Sequence, residues 1–214
     1  MAEQSGFQIH VLRGGLSIFR HPLPLITRET KPLVLRRNNS CLLLVDAHSP
    51  FADIKNGWLS RKVQDKVLGR EFDEYFRILG LIFPNITSLL IKCREQGIPI
   101  LYSCLGYFPP QEPSEFQRAT GWDWDLSGPL GTFPEEWTPS ESDRVFAKPG
   151  WSALSNPGLR EWVVMSNIDT VMIAGTMFEF GIRQTCVDLG DNGIGSLILS
   201  DGVAALTQDS QEYT

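Results

Sequence analysis

Hydrophobic residues along this chain fall into short unbroken runs separated by helical stripes. "SCLLLV" (40–45) is an apolar run closed by Asp46, the pattern of a strand buried on both faces. "FPNITSLLIKCREQG" (83–97) then places Ile86, Leu89, Leu90 and Cys93 at helical spacing, with Gly97 as the C-cap. "IPILYS" (98–103) predicts a second strand, and "RVFAKPGW" (144–151) a third that runs into a loop. "TVMIA" (170–174) predicts a fourth strand, followed by a helix with Phe178, Ile182, Cys186 and Leu189 on one stripe. "IGSLILSDG" (194–202) supplies the last strand.

Alternating strands and helices of this kind predict an α/β fold, a three-layer α/β/α sandwich around a mostly parallel, Rossmann-like sheet. Residues 1–38 mix β-branched runs with Gly-Gly and Pro breaks, and predict an arm ahead of an α/β domain spanning 39–214. Residues 106–142, rich in Pro, Gly and Trp, exceed an ordinary connection and predict a lid or a partner surface.

Composition adds limits. Hydrophobic residues make up 42% and charged residues 21%, enough for a full core. The net charge of −6, with no basic stripe, argues against a nucleic-acid partner. Cys41, Cys93, Cys104 and Cys186 show neither CxxC nor metal-ligand spacing, so reduced, buried thiols are expected, with no metal and no cofactor. No uninterrupted run of about 18 apolar residues occurs, and the first residues lack a signal peptide's charged start and apolar core. The expectation is a cytoplasmic protein without a membrane partner. The apolar character of the arm points to a homo-oligomer, a dimer or a tetramer.

In a parallel sheet, reactive groups stand at the carboxyl ends of strands. Asp46 closes the first strand, where it is either an acid facing the crevice and suited to proton transfer or a plain loop carboxylate. Lys148 follows "RVFA" and precedes Pro149 and Gly150, and is either its partner or a surface lysine. If the two form a pair, they belong within direct or one-water reach at the ends of neighbouring strands. His48 is a loop histidine beside Asp46, and the other two histidines lie in the arm, which leaves no metal set. Cys104 either faces the crevice or packs. Trp122, Trp124, Trp137 and Trp151 either line a pocket for a flat ligand or anchor the long loop. The corner "GTMFEFGIRQTC" (175–186) displays Thr176, Glu179 and Gly181, while its only thiol, Cys186, lies well inside the helix.

With these residues in hand, the chain resembles the isochorismatase-like hydrolase superfamily over roughly residues 39–206. "LLLVDAHSPF" is similar to the family's first strand with its aspartate, and "DRVFAKPGWSAL" to its lysine-bearing segment. "TVMIAGTMFEFGIRQTCVDLGDNG" is similar to the segment that carries the nucleophilic cysteine of the cysteine hydrolases, and here that position is Gly181. "GPLGTFPEEWTP" resembles the loop ahead of the lysine. The resemblance is closest to the members with glycine in place of cysteine. For those it implies catalysis without a covalent intermediate: Asp46 protonates a vinyl ether, Lys148 orients Asp46 or a substrate anion, and Gly181 leaves room. His48, Phe51, Cys104, Leu105, Trp124, Trp151, Thr176, Met177, Phe178 and Gly181 are then expected to contact a small-molecule substrate, cyclic or aromatic, that is hydrolysed, eliminated or rearranged. The alternative is a non-catalytic binding or assembly module on the same scaffold.

Overall fold

A run without polar alternation satisfies its backbone best inside a sheet covered on both faces. The structure, a computed structural model, describes residues 8–11, 17–20, 35–66, 69 and 72–212. The backbone of β1 (Gln8–Val11) and β2 (Ser17–Arg20) forms an antiparallel hairpin, and the rest of the expected arm up to residue 34 lies outside the described residues. β3 (Ser40–Val45) is the unbroken apolar run, every one of its residues is buried, and the short helices α1 (Ser49–Ala52) and α2 (Trp58–Gln64) follow it. It pairs in parallel with β4 (Ile100–Leu105) on one side and β6 (Thr170–Thr176) on the other. β5 (Arg144–Lys148) flanks β4 and β7 (Gly195–Ala204) flanks β6, giving an all-parallel sheet in the order β5-β4-β3-β6-β7.

Alternation along the strands divides the interior in two. Leu42, Leu44, Tyr102 and Met172 face α3 (Asp73–Gln96), where they pack with its Ile78, Leu79, Ile82 and Ile86. Leu43, Val45, Leu101 and Ile173 face the other side, against Leu159 and Val163 of α5 (Pro157–Met165) and Leu189 of α6 (Arg183–Asp191). The three-layer sandwich read from the sequence is the observed fold.

Two elements differ in detail from the sequence reading. The helix expected from residue 83 begins at Asp73 and carries Pro84 inside it. Its buried stripe runs from Tyr75 to Cys93 through the proline, so packing on the sheet outweighs the lost backbone bond. Gly97 ends it with φ 63°, as expected of a C-cap. By length and composition α3 is apolar enough to cross a membrane, but that stripe covers the sheet as a core helix does. The second difference lies after β6, where Phe178–Ile182 forms a π-helical turn before α6 starts.

The long 106–142 insertion folds into α4 (Glu115–Thr120) and short 3₁₀ turns. Its anchor is Trp137, fully buried, stacked on Phe83 of α3 at 4.5 Å and donating its indole N–H to Thr87 Oγ1 at 3.2 Å. Trp137→Ala should therefore cost about 3–5 kcal/mol, the range for emptying a large aromatic site. Urea unfolding checks this, and a loss below about 1 kcal/mol would show that the insertion is held elsewhere.

Candidate active site

Asp46 follows the last residue of β3 in the left-handed region, with φ 51°, and its N–H donates to Ser103 O at 2.8 Å. Its Oδ2 lies 2.8 Å from Nζ of Lys148, the last residue of β5. Both residues are buried, at 1% and 0% exposure. The other carboxylate oxygen accepts the Leu105 N–H at 2.9 Å, and Lys148 Nζ also donates to Trp151 O at 2.6 Å. Thr176 Oγ1 donates to the main-chain carbonyl of Asp46 at 2.6 Å. The expected direct contact is therefore present, but the two strands are not neighbours, because β4 lies between them. Two strand spacings amount to about 10 Å, and the long lysine side chain reaches over the end of β4 to close that gap.

Gly181 sits in the π-helical turn directly against this pair. A Cβ at that position would lie 2.6 Å from Asp46 Oδ2, 2.9 Å from Lys148 Nζ and 2.9 Å from Val45 Cγ1. Only a hydrogen fits while the ion pair is closed. Cys186 packs against the α5/α6-side core, and burial pushes its thiol up to about 11, which disfavours the thiolate. Cys104, expected at the crevice, is buried among the apolar residues of the α3-side core, and desolvation raises its thiol well above the ordinary value.

His48 is fully buried two residues beyond Asp46. Its Nε2 lies 3.2 Å from Leu105 O, and since a carbonyl can only accept, Nε2 carries the proton. Nδ1 has no hydrogen-bond partner among the described residues. The ring meets Phe51 edge-on at 5.7 Å and Trp124 at 6.3 Å. Burial lowers the imidazole to about 4, against the smaller opposing pull of Asp46.

The tryptophans divide as the two alternatives allowed. Trp137 is a packing anchor, whereas Trp151 stacks on Phe180 at 4.7 Å and meets Trp122 at 4.8 Å, and Trp124 meets Phe51 at 5.5 Å. These rings form an aromatic cluster around the residues that hold the pair. Leu105 serves through its backbone, its side chain being buried in the α3-side core. Met177 is buried at the entry to the π-helical turn with φ 61°. Phe178 does not join the aromatic cluster: it packs on the α5/α6-side core, and Phe180 stands beside Trp151 instead. Glu179 accepts the Leu206 N–H on Oε1 at 2.8 Å, and its Oε2 is buried without a partner.

One functional position was missed. Gln117, 1% exposed, donates from Nε2 to Gly106 O at 2.8 Å and Lys148 O at 3.1 Å, holding the ends of β4 and β5 together. Ser114 Oγ donates to Pro149 O at 2.6 Å beside it. The readable signal was "SEFQ", a capping box at the start of α4. Among the described residues, no group of three or more His, Cys, Asp or Glu side chains is placed to hold a metal. Chemically, the centre is a buried carboxyl–ammonium pair, a group of the kind that can hold and pass a proton.

The buried imidazole has a consequence for stability. Its value falls from 6.5 to about 4 on folding, so between those pH values the unfolded chain binds the extra proton. Stability from this group is complete above pH 6.5 and declines as the pH falls toward 4, with a slope of up to about 1.4 kcal/mol per pH unit. His48→Gln should flatten the stability profile in that window. Urea midpoints measured from pH 7 to 4 check this, and an unchanged slope in the variant would contradict it.

A family model, the isochorismatase domain, matches residues 51–214, a span that includes Lys148 and Gly181 and begins just after Asp46 and His48. Solved structures align over most of the chain. An isochorismatase family protein from Desulfovibrio vulgaris aligns with TM-score 0.63 and 18% identity, covering 82% of this chain and 87% of that one. A nicotinamidase from Bacillus subtilis gives 0.63 and 17%, covering 82% and 91%. An N-carbamoylsarcosine amidase from Thermoplasma acidophilum gives 0.59 and 19%, covering 82% and 89%. At these identities the structural likeness carries the fold alone, while the family model covers well over half of the sequence. The chain belongs to the isochorismatase domain family, on an isochorismatase-like α/β fold.

Proposed function

We propose that this chain is an enzyme that works without a cysteine nucleophile, using Asp46 and Lys148 for acid–base chemistry on a small cyclic or aromatic metabolite. The observation that carries the reading is the buried 2.8 Å contact between Lys148 Nζ and Asp46 Oδ2, pressed against a residue that has no side chain. A thiolate route to amide hydrolysis has no thiol at Gly181, and Cys186 is packed elsewhere with a high thiol value. Protonation chemistry needs no nucleophile.

In the version we favour, Asp46 in its acid form delivers its proton to the terminal carbon of a vinyl ether. The resulting oxocarbenium ion is captured by water, and the hemiketal collapses to a ketone and an alcohol. The proton released by that water restores Asp46. Lys148 fixes the carboxyl group and balances its charge when the proton has left, and the Leu105 N–H holds the other oxygen in place. Elimination or rearrangement would use the same proton transfer on a different bond. The isochorismatase family as a whole supports an enzyme. The complete burial of Asp46, Lys148 and His48 favours the alternative, a non-catalytic binding or assembly module. The enzyme reading requires the Trp151–Phe180 stack to part and admit the substrate.

The test is pyruvate release from a panel of enolpyruvyl ethers of cyclic alcohols, run beside a panel of aromatic amides. Asp46→Asn should reduce vinyl-ether turnover by about 10²–10⁴-fold, because the amide has no carboxyl proton to give. Lys148→Ala should be comparably severe, and Cys186→Ser should retain turnover at some cost in stability. Near-normal rates for Asp46→Asn, or loss of catalysis in a folded Cys186→Ser protein, would end this reading. Failure to turn over either panel leaves the binding-module alternative standing.

A further inference from the structure

At the opposite end of the sheet from Asp46 lies a cavity of about 530 Å³ between α3, the sheet and the chain just before β3. Its size falls within the range of small-molecule sites. Ser40, which opens β3, lies a strand length of about 20 Å from the end that Asp46 follows, while the β7 wall of the cavity rises to the level of Ala174, the partner of Leu44.

An irregularity of β7 builds one wall. β7 pairs with β6 as far as Ile173↔Ile198 and resumes at Gly175↔Val203, so residues 199–202 stand opposite Ala174 alone. Bulges of this kind re-aim the chain, and here Leu199, Asp201 and Gly202 become part of the cavity wall. α3 supplies the facing wall through Asn85, Ser88, Lys92 and Gln96, an exposed polar stripe that flanks the buried apolar one lying on the sheet. Asn85 Nδ2 donates to Asp201 O at 2.8 Å and pins the helix to the bulge. Helix and bulge are thus tied together at the rim of the cavity, beside the packed face of α3.

The chemistry of the lining is asymmetric. Arg36, Arg37 and Lys92 contribute three cations against the single carboxylate of Asp201, and none of the three forms an ion pair among the described residues. Ser40 contributes a buried hydroxyl with no hydrogen-bond partner. Leu35, Leu89, Ile98 and Met172 supply apolar surface. A mere packing gap is dry and apolar, whereas this one combines cations and a hydroxyl, unpaired among the described residues, with an apolar wall. We propose that the cavity is a binding site for a small organic anion, a phosphate or carboxylate carried on a ring or short apolar body. The anion meets Arg36 and Lys92 above the buried Ser40, and the apolar body lies against Met172 and Leu89. The site is separate from the acid–base centre, and its occupancy does not depend on how that centre is read.

Calorimetric titration of the full chain with phenyl phosphate, benzoate, phenol and inorganic phosphate tests the assignment. At least one aryl anion should bind once per chain, about tenfold or more tighter than phenol and than phosphate, the scale of one charge-assisted hydrogen bond. Phenyl phosphate and benzoate together show which anion the cations prefer. The double variant Arg36→Glu/Lys92→Glu, at exposed positions, should weaken that binding by at least the same factor, about tenfold. Ser88→Trp, which fills the cavity from an exposed helix position, should abolish it even if the charge variant folds poorly. Asp46→Asn should leave it unchanged. Absence of binding by both aryl anions, equal binding of phenol, or full affinity in folded Ser88→Trp protein would overturn the site, as would weakening by Asp46→Asn.

Discussion

A carboxylate and an ammonium share the buried interior here because each has a further hydrogen-bond partner beside the other. Desolvating the two charges costs several kcal/mol per ion, and their attraction repays that only with close contact and further hydrogen bonds. Asp46 obtains them from Lys148 and the Leu105 N–H, and Lys148 from Trp151 O. Lys148 and Leu105 are themselves positioned by the sheet, and Trp151 by the loop that leaves β5. Leu105 pairs with Lys148 in the β4–β5 ladder, so the strand that separates the two charges also supplies the donor that completes their bonding. Removing either charge would leave the other buried and uncompensated, the costly case. The pair therefore constrains three strand ends at once.

The rest of the carboxyl edge follows from that constraint. A turn must leave β3 without moving the carboxylate, and Asp46 takes a left-handed backbone to do so. The β6 corner must approach the pair without a side chain, which places Gly181 in a π-helical turn instead of a regular first turn of α6. At Gly175, φ is 127° and a Cβ would lie 2.1 Å from Val45 O, so β6 also needs glycine where it passes the end of β3. The long insertion completes the enclosure: Gln117 holds the carbonyls of Gly106 and Lys148, while Trp122 and Trp124 bring rings to Trp151 and His48.

Much of this was legible in the sequence because burial on both faces writes itself as an unbroken apolar run. β3, β4, β5, β6 and β7 all coincide with such runs or their edges, and Asp46 and Lys148 stood out by closing two of them. What was not legible depends on order and register. Nothing in "VDAHS" or "FAKPG" says that β4 stands between the two charges, since lateral strand order is a tertiary property. Pro84 hid the first ten residues of α3 because propensity is local, while the stripe from Tyr75 onward is stabilised by the sheet. Phe178 was counted both as part of a packed stripe and as a ligand contact. The stripe was right, and the π-helical turn gave the place beside Trp151 to Phe180. Gln117 announced itself as a helix cap, but its grip on Lys148 comes from where the insertion lands.

The distribution of charge gives the molecule its polarity. The chain is acidic, with a net charge of −6, yet it commits one lysine to the interior at the carboxyl edge and gathers Arg36, Arg37 and Lys92 around a cavity at the amino edge. At the carboxyl edge the cation is neutralised by Asp46 and enclosed beside the Trp151–Phe180 stack. At the amino edge the cations stay exposed and unpaired among the described residues, where they raise the local concentration of anions. β3 joins the two ends as a strand buried along its whole length, with Ser40 at one and Asp46 beyond the other. A packed strand of this kind has no second arrangement available to it. The two proposed sites therefore stand on one packed sheet, with α3 and the bulge in β7 beside the second of them.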